Sequence, residues 1–525
     1  MRREDLIAPE VYNITNEVEK FAYDPKKVAL IWENREGIHT EVTYQQLMKN
    51  ANKTGNVLKA TGLKKGDIIL VIVPRIVEAY EVYLGALKAG IVILPSSEML
   101  RTKDLEYRIQ VGDVKGVVSH FTTVQQFKNV EGIENLKKFV IGKPEDGWIF
   151  LDKAKENASE ELATARTLRD DLAFLSYTSG TTGNPKGVVH SHGWGYAHLR
   201  TAAPNWLAIK ENDRVWATAA PGWQKWVWSP LLCVLGSGAT GFVYNGRFDP
   251  EKYLSLLDEY KVNVLCCTPT EYRLMAKVED LSRYHLQNLR SAVSAGEPLN
   301  REVIDVFKNH FGIKIRDGYG QTENTLLVGI SADMELRPGS MGKPFPGNQV
   351  EIIDEDGKPC KVGEVGDIAV HKDTPALFKY YYKEPERTAR QYRGDYYITG
   401  DRAKKDEDGY YWFEGRRDDI IISSGYTIGP FEVEDALIKH PYVKECAVVA
   451  SPHEIRGNIV KAFVVLKEGI SKDMPGLVKE LQNHVKQLTA PYKYPRAIEF
   501  MKELPKTTSG KIRRVELRQR ELNQA

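Results

Sequence analysis

The segment YTSGTTGNPKGVV, from Tyr177 to Val189, sets Thr178, Ser179, Thr181 and Thr182 beside Gly180, Gly183 and Gly187, with Lys186 close by. Each residue type answers a need of phosphate chemistry. Glycines let backbone amides converge on an anion, hydroxyls add donors, and lysine supplies a compact positive charge. A triphosphate is the natural occupant of such a loop. The pattern is not a Walker A loop, which needs G-x-x-x-x-G-K-[ST], because Lys186 follows Pro185 and precedes Gly187. The apolar stretch LAFLSY runs straight into it, which argues against a flexible linker.

Three further segments set polar side chains among glycines. SAGEPL (Ser294 to Leu299) and DGYGQTEN (Asp317 to Asn324) are short and individually weak. A tyrosine between glycines can present its ring face to a purine, and the adjacent Thr322 and Glu323 can serve phosphate oxygens and magnesium, which favours oxygen ligands. Out of context, Glu323 is a solvated carboxylate or a helix cap, and Asp401, in a Gly-Asp turn, is structural. LPKTTSGKIRR places Lys511 in a Ser/Gly-flanked loop beside a cluster of positive charge, a pattern that alone describes a solvated terminus.

Taken together and in this order, these motifs resemble the adenylate-forming superfamily, which contains acyl-CoA and aryl-CoA synthetases, adenylation domains of peptide synthetases and beetle luciferases. The resemblance covers most of the chain, from about residue 25 to about 515. It implies that Gly296, Glu297 and Pro298 border an adenine and that Tyr319 stacks on it. Asp317, Gly318, Gly320 and Gln321 would line the same nucleotide site. Thr322 would meet the phosphate and Glu323 would hold Mg2+. In YITGDRAKKDEDGYYWFEGRRDD, Asp401 would accept hydrogen bonds from both ribose hydroxyls, Arg416 would add a ribose or phosphate contact, and Asp418 would be a pivot. Lys511 becomes the catalytic lysine, bridging the substrate carboxylate and the α-phosphate. Ser424, Gly425 and Tyr426 would lie near coenzyme A, with Arg456 a candidate for its phosphates. Thr427 departs from the pattern, since related enzymes commonly carry arginine there.

The implied activity is that of an ATP-dependent acyl-CoA ligase. A carboxylate attacks the α-phosphate of ATP, giving acyl-AMP and pyrophosphate, and the thiolate of coenzyme A then displaces AMP. Two-carbon acid ligases of the family carry tryptophan just before the Gln of QTE, where this chain has Gly320, so the pocket is expected to be open at that depth. The cluster PGWQKWVW, with Trp223, Trp226 and Trp228, looks like the medium-chain acyl-CoA and benzoate-CoA ligase branch. An acyl pocket is expected at Trp223, Gly296 and Gly320. The alternatives are an adenylation enzyme loading a carrier protein in trans, a non-catalytic nucleotide sensor and a luciferase-like monooxygenase. The chain ends soon after Lys511 with no appended carrier domain, which favours free coenzyme A.

The elements that must position these residues are of mixed α/β type. Thr43 and Gln46 resemble a capping box, and the apolar spacing that follows predicts a helix from 43 to 61. The run DIILVIVP at 67 to 74, a helical stretch from Ile76 to Lys88 and the run IVILP after Gly90 give the rhythm of a mainly parallel sheet. It returns at 249 to 277, where Asp249 can cap a helix, VNVLCC reads as a buried strand and Pro269 can open another helix. Two α/β layers are expected, followed by a small glycine-punctuated β subdomain at 345 to 412 and a compact α+β unit after GRRDD. The expected domains are 1–417, binding the nucleotide, and 418–525, mobile and carrying the catalytic lysine.

The 525 residues suffice for roughly three or four domain-sized units. Hydrophobic residues make up 42% and charged residues 27%, the balance of a globular protein. Lys plus Arg number 73 against 71 acidic residues, a net charge of +2, so bulk charge supports neither nucleic acid nor an anionic membrane as a partner. Cys233, Cys266, Cys267, Cys360 and Cys446 lack the paired spacing of a zinc or redox motif and suit a reducing compartment. No segment reaches the roughly 18 apolar residues of a membrane span, and the expected location is the cytoplasm. His190 and His192 would share a strand face, but no partner stands at metal-ligand spacing.

Overall fold

The computed structural model describes residues 1–178, 185–296, 299, 301–423, 426–453, 457–507 and 510–524. The chain divides into two compact units, Met1–Val350 with Val370–Asp395, and Glu351–Ala369 with Tyr396–Ala525.

The first unit is built on two sheets. In one, the strands Ile149–Phe150, Lys137–Ile141, Val114–His120, Ile68–Ile72, Val92–Pro95 and Leu172–Thr178 run parallel in that spatial order. Lys186–Ser191 closes the edge antiparallel to the last of them. In the other, Ser291–Ala295 lies between Ile315–Gly320 and Val264–Cys267, and the parallel run continues through Arg214–Ala217, Thr240–Asn245 and Val28–Asn34. Strands such as Ile68–Ile72 and Val264–Cys267 are buried along their whole length, as unbroken apolar runs require when helices cover both faces. The two-layer expectation is met.

Local signals operate as the residues dictate. The helix Tyr44–Ala60 begins where the Thr43 hydroxyl accepts from the Gln46 amide at 3.2 Å. Only that half of the capping box forms; Gln46 Nε2 donates to Asn50 Oδ1 at 3.0 Å. Asp249 caps the helix Pro250–Glu259 by accepting from Lys252 N at 2.8 Å, and Pro269 opens Pro269–Met275 behind a complete Thr268/Glu271 box.

The strands Val350–Ile353, Gly366–His371, Tyr396–Lys405 and Tyr411–Arg416, which fall mostly in the second unit, lie side by side. They are the β-rich stretch expected from the glycine punctuation. Val443–His453 pairs antiparallel with Gly457–Leu466, which runs parallel to Ala497–Phe500. The helices Pro430–Ile438 and Leu477–Leu488 bury Val433, Leu437, Leu481 and Val485 against this sheet; on its other face Phe463 meets Leu517 of Arg514–Gln524. Asp418, expected as a pivot, lies within this unit. Among the described residues no helix is long and apolar enough to cross a membrane.

Candidate active site

Ser179, Gly180, Thr181, Thr182 and Gly183 lie outside the described residues, but the strands on either side are in place, with Thr178 opposite Lys186. Thr178 Oγ1 is buried and has no hydrogen-bond partner among the described residues. Lys186 Nζ forms an ion pair with Glu323 Oε1 and donates to the Tyr381 hydroxyl at 2.8 Å; that hydroxyl in turn donates to Glu323 Oε1 at 2.9 Å. Glu323 and Tyr381 are buried and Lys186 is partly so. Burial pushes the Glu323 carboxyl upward, but the charge of Lys186 and the hydrogen bonds from Lys186 and Tyr381 outweigh it, leaving the group below the usual carboxylate range.

Backbone pairing brings the three together. The segment 378–382 runs beside Lys186–Ser191 through Lys379 N to Val189 O at 2.9 Å, Val189 N to Tyr380 O at 3.1 Å and Tyr382 N to Gly187 O at 2.7 Å. Phe378 N also donates to Glu323 O at 2.7 Å. Glu323 itself stands on a tight turn, where Gln321 N donates to Asn324 Oδ1 at 2.8 Å and Asn324 N to Gln321 O at 3.1 Å. Thr322 lies on the same turn.

Upstream, Ile315–Gly320 carries Asp317, Gly318, Tyr319 and Gly320. Burial lifts the Asp317 carboxyl to about 7, opposed by hydrogen bonds from the amides of Gly318 and Leu299. Tyr319 is partly exposed at the strand's end. Gly320 has a reason to be glycine that spacing could not reveal, since a Cβ there would sit 2.1 Å from the carbonyl oxygen of Thr325. Gly296 is exposed just past Ser291–Ala295, and Glu297 and Pro298 lie outside the described residues.

On the side expected to take the acyl group, Trp223 is partly exposed and precedes the short helix Gln224–Trp226 and a π-helix, Val227–Val234, that contains Pro230. Trp226 is buried against Tyr80 and Tyr83, with ring centroids 4.8 and 4.7 Å away. Packing is thus the role of Trp226, while Trp223 keeps solvent access. Lys225 Nζ lies 4.6 Å from the centre of the Trp206 ring.

In the second unit, register sets Asp401 opposite Arg416, with Asp401 buried and Arg416 exposed. In GRRDD, Arg416, Arg417 and Asp418 are exposed and Asp419 is buried. Arg417 Nη1 donates to Asp367 Oδ2 at 3.0 Å and Asp419 pairs with Arg518, whereas Arg416 and Asp418 face solvent. Lys511 is exposed beside Gly510, whose φ of +84° favours glycine; Thr507 N donates to Lys511 O at 2.8 Å and Lys511 N to Thr507 Oγ1 at 3.1 Å. Ser424, Gly425 and Arg456 lie outside the described residues; Tyr426 begins the strand Tyr426–Ile428, which also holds Thr427.

His190 and His192 do not act as a pair. The strand ends at Ser191, which caps the next helix; His190 Nε2 meets the Thr322 carbonyl, and His192 Nδ1 accepts from Ile14 N at 3.2 Å. Among the described residues no group of three His, Cys, Asp or Glu side chains could hold a metal. Tyr381 is the site residue that the motifs did not announce. It sits in YYYKEPERT, a run with neither strand nor helix periodicity, and its partner Lys186 is 195 residues away.

Residues 18–382 match the family described as AMP-binding enzyme, and residues 432–511 match the AMP-binding enzyme C-terminal domain. YtcI of Bacillus subtilis (strain 168), described as an uncharacterized acyl-CoA ligase, is 66% identical over 521 residues, 99% of this chain and 98% of that one. The mitochondrial acyl-coenzyme A synthetase ACSM3 of Rattus norvegicus is 41% identical over 529 residues, 98% of this chain and 91% of the other. Among solved structures, the anthranilate CoA ligase AuaEII in complex with anthranoyl-AMP matches with a TM-score of 0.90 at 30% identity, over 100% of this chain and 99% of that one. The chain belongs to the AMP-binding enzyme family and is an ATP-dependent acyl-CoA ligase.

Proposed function

We propose that this ligase activates medium-chain fatty or aromatic carboxylic acids in the reducing environment of the cytoplasm. The observation that carries the site assignment is the Lys186–Glu323–Tyr381 triad, which fixes a lysine on the strand that follows the glycine- and hydroxyl-rich segment. A carboxylate is a poor electrophile because its charge repels nucleophiles and its oxygen leaves badly. Transfer of AMP to it corrects both, and the charge that departs as pyrophosphate needs donors already in place. Lys186 and Thr178 offer such donors at the two strand ends. The donor set suits Mg2+, since Glu323 is a hard oxygen ligand kept ionised by its neighbours, and magnesium is often bound by one or two carboxylates together with substrate phosphates. When bound, the ion would neutralise charge on the phosphates.

Tyr319 would stack on the adenine, and Asp401 with Arg416 would hold the ribose. Lys511 would bridge the acid and the α-phosphate during adenylation, and a swing of residues 418–525 about Asp418 would exchange it for the segment around Gly425 when coenzyme A attacks. Exposure of Asp418, between Arg417 bonded to Asp367 and Asp419 paired with Arg518, supports a pivot there. Partly exposed Trp223 supports an apolar or aromatic acyl group, as does the fold's likeness to a ligase bound to anthranoyl-AMP.

Pyrophosphate release from ATP, followed across acids from acetate to decanoate and substituted benzoates with and without coenzyme A, tests this reading. Turnover should peak with medium-chain or aromatic acids and require coenzyme A for multiple cycles. A preference for acetate would overturn the substrate assignment.

A further inference from the structure

The strand Lys186–Ser191 and the following helix carry a column of polar rings. His190, Trp194 and His198 recur every fourth residue and stack in sequence, with centroids 4.1 Å and then 5.1 Å apart and planes within 28°. The column ends on Trp228, 5.1 Å beyond His198. All four rings are buried. Each of the first three is bonded to the turn that bears Glu323. His190 Nε2 meets Thr322 O, Trp194 Nε1 donates to Asn324 O at 2.9 Å, and His198 Nδ1 lies 2.7 Å from Thr325 Oγ1.

His198 alone faces both ways, since its Nε2 lies 3.2 Å from the carbonyl oxygen of Trp228, with Cys233 Sγ at 3.5 Å. A carbonyl can only accept, so Nε2 carries the proton and Nδ1 receives the Thr325 hydroxyl hydrogen. Burial holds His190 down to about 4 and His198 to about 3, so both rings are neutral near pH 7 and this tautomer is fixed. Apolar side chains would fill the same space without needing partners.

We infer that His198 is a positioning residue for the ligase reaction, joining the tryptophan-bearing helix of the acyl side to the turn that carries Thr322 and Glu323. The inference rests on the acyl and nucleotide sides assigned above. The Nδ1 edge of the ring holds the turn of Thr322 and Glu323 and the Nε2 edge holds the tryptophan-bearing helix, so each edge positions its own side.

The two nitrogens can be separated by substitution. His198→Asn keeps an acceptor near Nδ1 for Thr325, and His198→Gln keeps a donor near Nε2 for Trp228. In the purified full chain, His198→Gln should raise the KM for ATP about 3- to 10-fold, the worth of one hydrogen bond, and leave the KM for decanoate near wild type. His198→Asn should do the reverse, with rates scaled to the folded fraction from thermal unfolding. Two variants that move neither KM, or move both alike, would show a purely structural ring and overturn the proposal. If neither folds, Thr325→Val reads the same bond from its other end: an unchanged KM for ATP overturns the proposal, and a rise confined to ATP supports it. Wild-type protein that releases no pyrophosphate with any acid would instead sink the ligase reading, and with it the reaction being positioned.

Discussion

Two lysines in this enzyme are mounted in opposite ways. Lys186 is held in the first unit by an ion pair to a buried carboxylate and a hydrogen bond to a buried tyrosine, on a strand bonded on both edges. Lys511 sits exposed in the second unit, beside a left-handed glycine, with the backbone on either side fastened to Thr507. The difference matches the roles proposed above for the two charges. A charge that receives departing pyrophosphate gains from being fixed before the reaction, since no reorganisation is then needed at the moment of bond breaking. A charge needed for adenylation and unwanted during thioester formation gains from being presented on a surface loop.

The contrast can be broken most sharply at Lys511. Lys511→Ala should lower adenylate formation by roughly 100- to 1,000-fold, the range for one lost transition-state donor, while thioester synthesis from supplied acyl-AMP stays near wild type. Equal loss in both half-reactions would mean that Lys511 is as fixed in its role as Lys186. Glu323→Gln should act on the buried side, lowering adenylation by about 100-fold and destabilising the fold by roughly 3 kcal/mol, because it leaves Lys186 without its counter-charge. Thermal unfolding alongside single-turnover pyrophosphate release separates the two effects. Tyr381→Phe removes one hydroxyl that serves both partners and should cost about 3- to 10-fold in rate, with little change in the KM for the acid.

The smallest effect on rate at neutral pH, and the one that marks the fixed region, is a stability loss in acid. His190 and His192 are held near 4 by burial and His198 near 3, against about 6.5 in an unfolded chain. Their depressed values mean that the unfolded state binds protons first. Stability is therefore full above about pH 6.5 and falls as pH drops toward 4, on the order of 1.4 kcal/mol per pH unit for each ring. Unfolding temperatures from pH 7 to 5 should fall accordingly, and His198→Asn should flatten the slope. An unchanged temperature across that range would contradict the burial described for these rings.

Much of the scaffold was legible because its signals are local. Thr43, Asp249 and Pro269 open helices where their chemistry says they should, and the apolar runs at 68–72 and 264–267 are strands buried along their length. The phosphate-type segment stood out because glycines, hydroxyls and a lysine within a dozen residues suit few occupants, though Ser179 to Gly183 lie outside the described residues. Partnerships across the chain were not. Tyr381 meets Lys186 across 195 residues, and His198 meets Thr325 across 127, distances at which periodicity and spacing carry no information. Gly320 shows the other limit, since a residue that the family resemblance assigns to pocket depth also meets backbone packed so close that a Cβ would not fit.

That glycine constrains how such an enzyme could change its diet. A bulky residue at 320 would first have to evict the Thr325 carbonyl, and the stretch to be rebuilt is the one that holds Glu323. A larger side chain at 320 therefore calls for a shifted main chain at Thr325 and Leu326, and that shift would be felt at Glu323. In the pocket proposed above, a change of acid would meet less backbone resistance at partly exposed Trp223 than at Gly320.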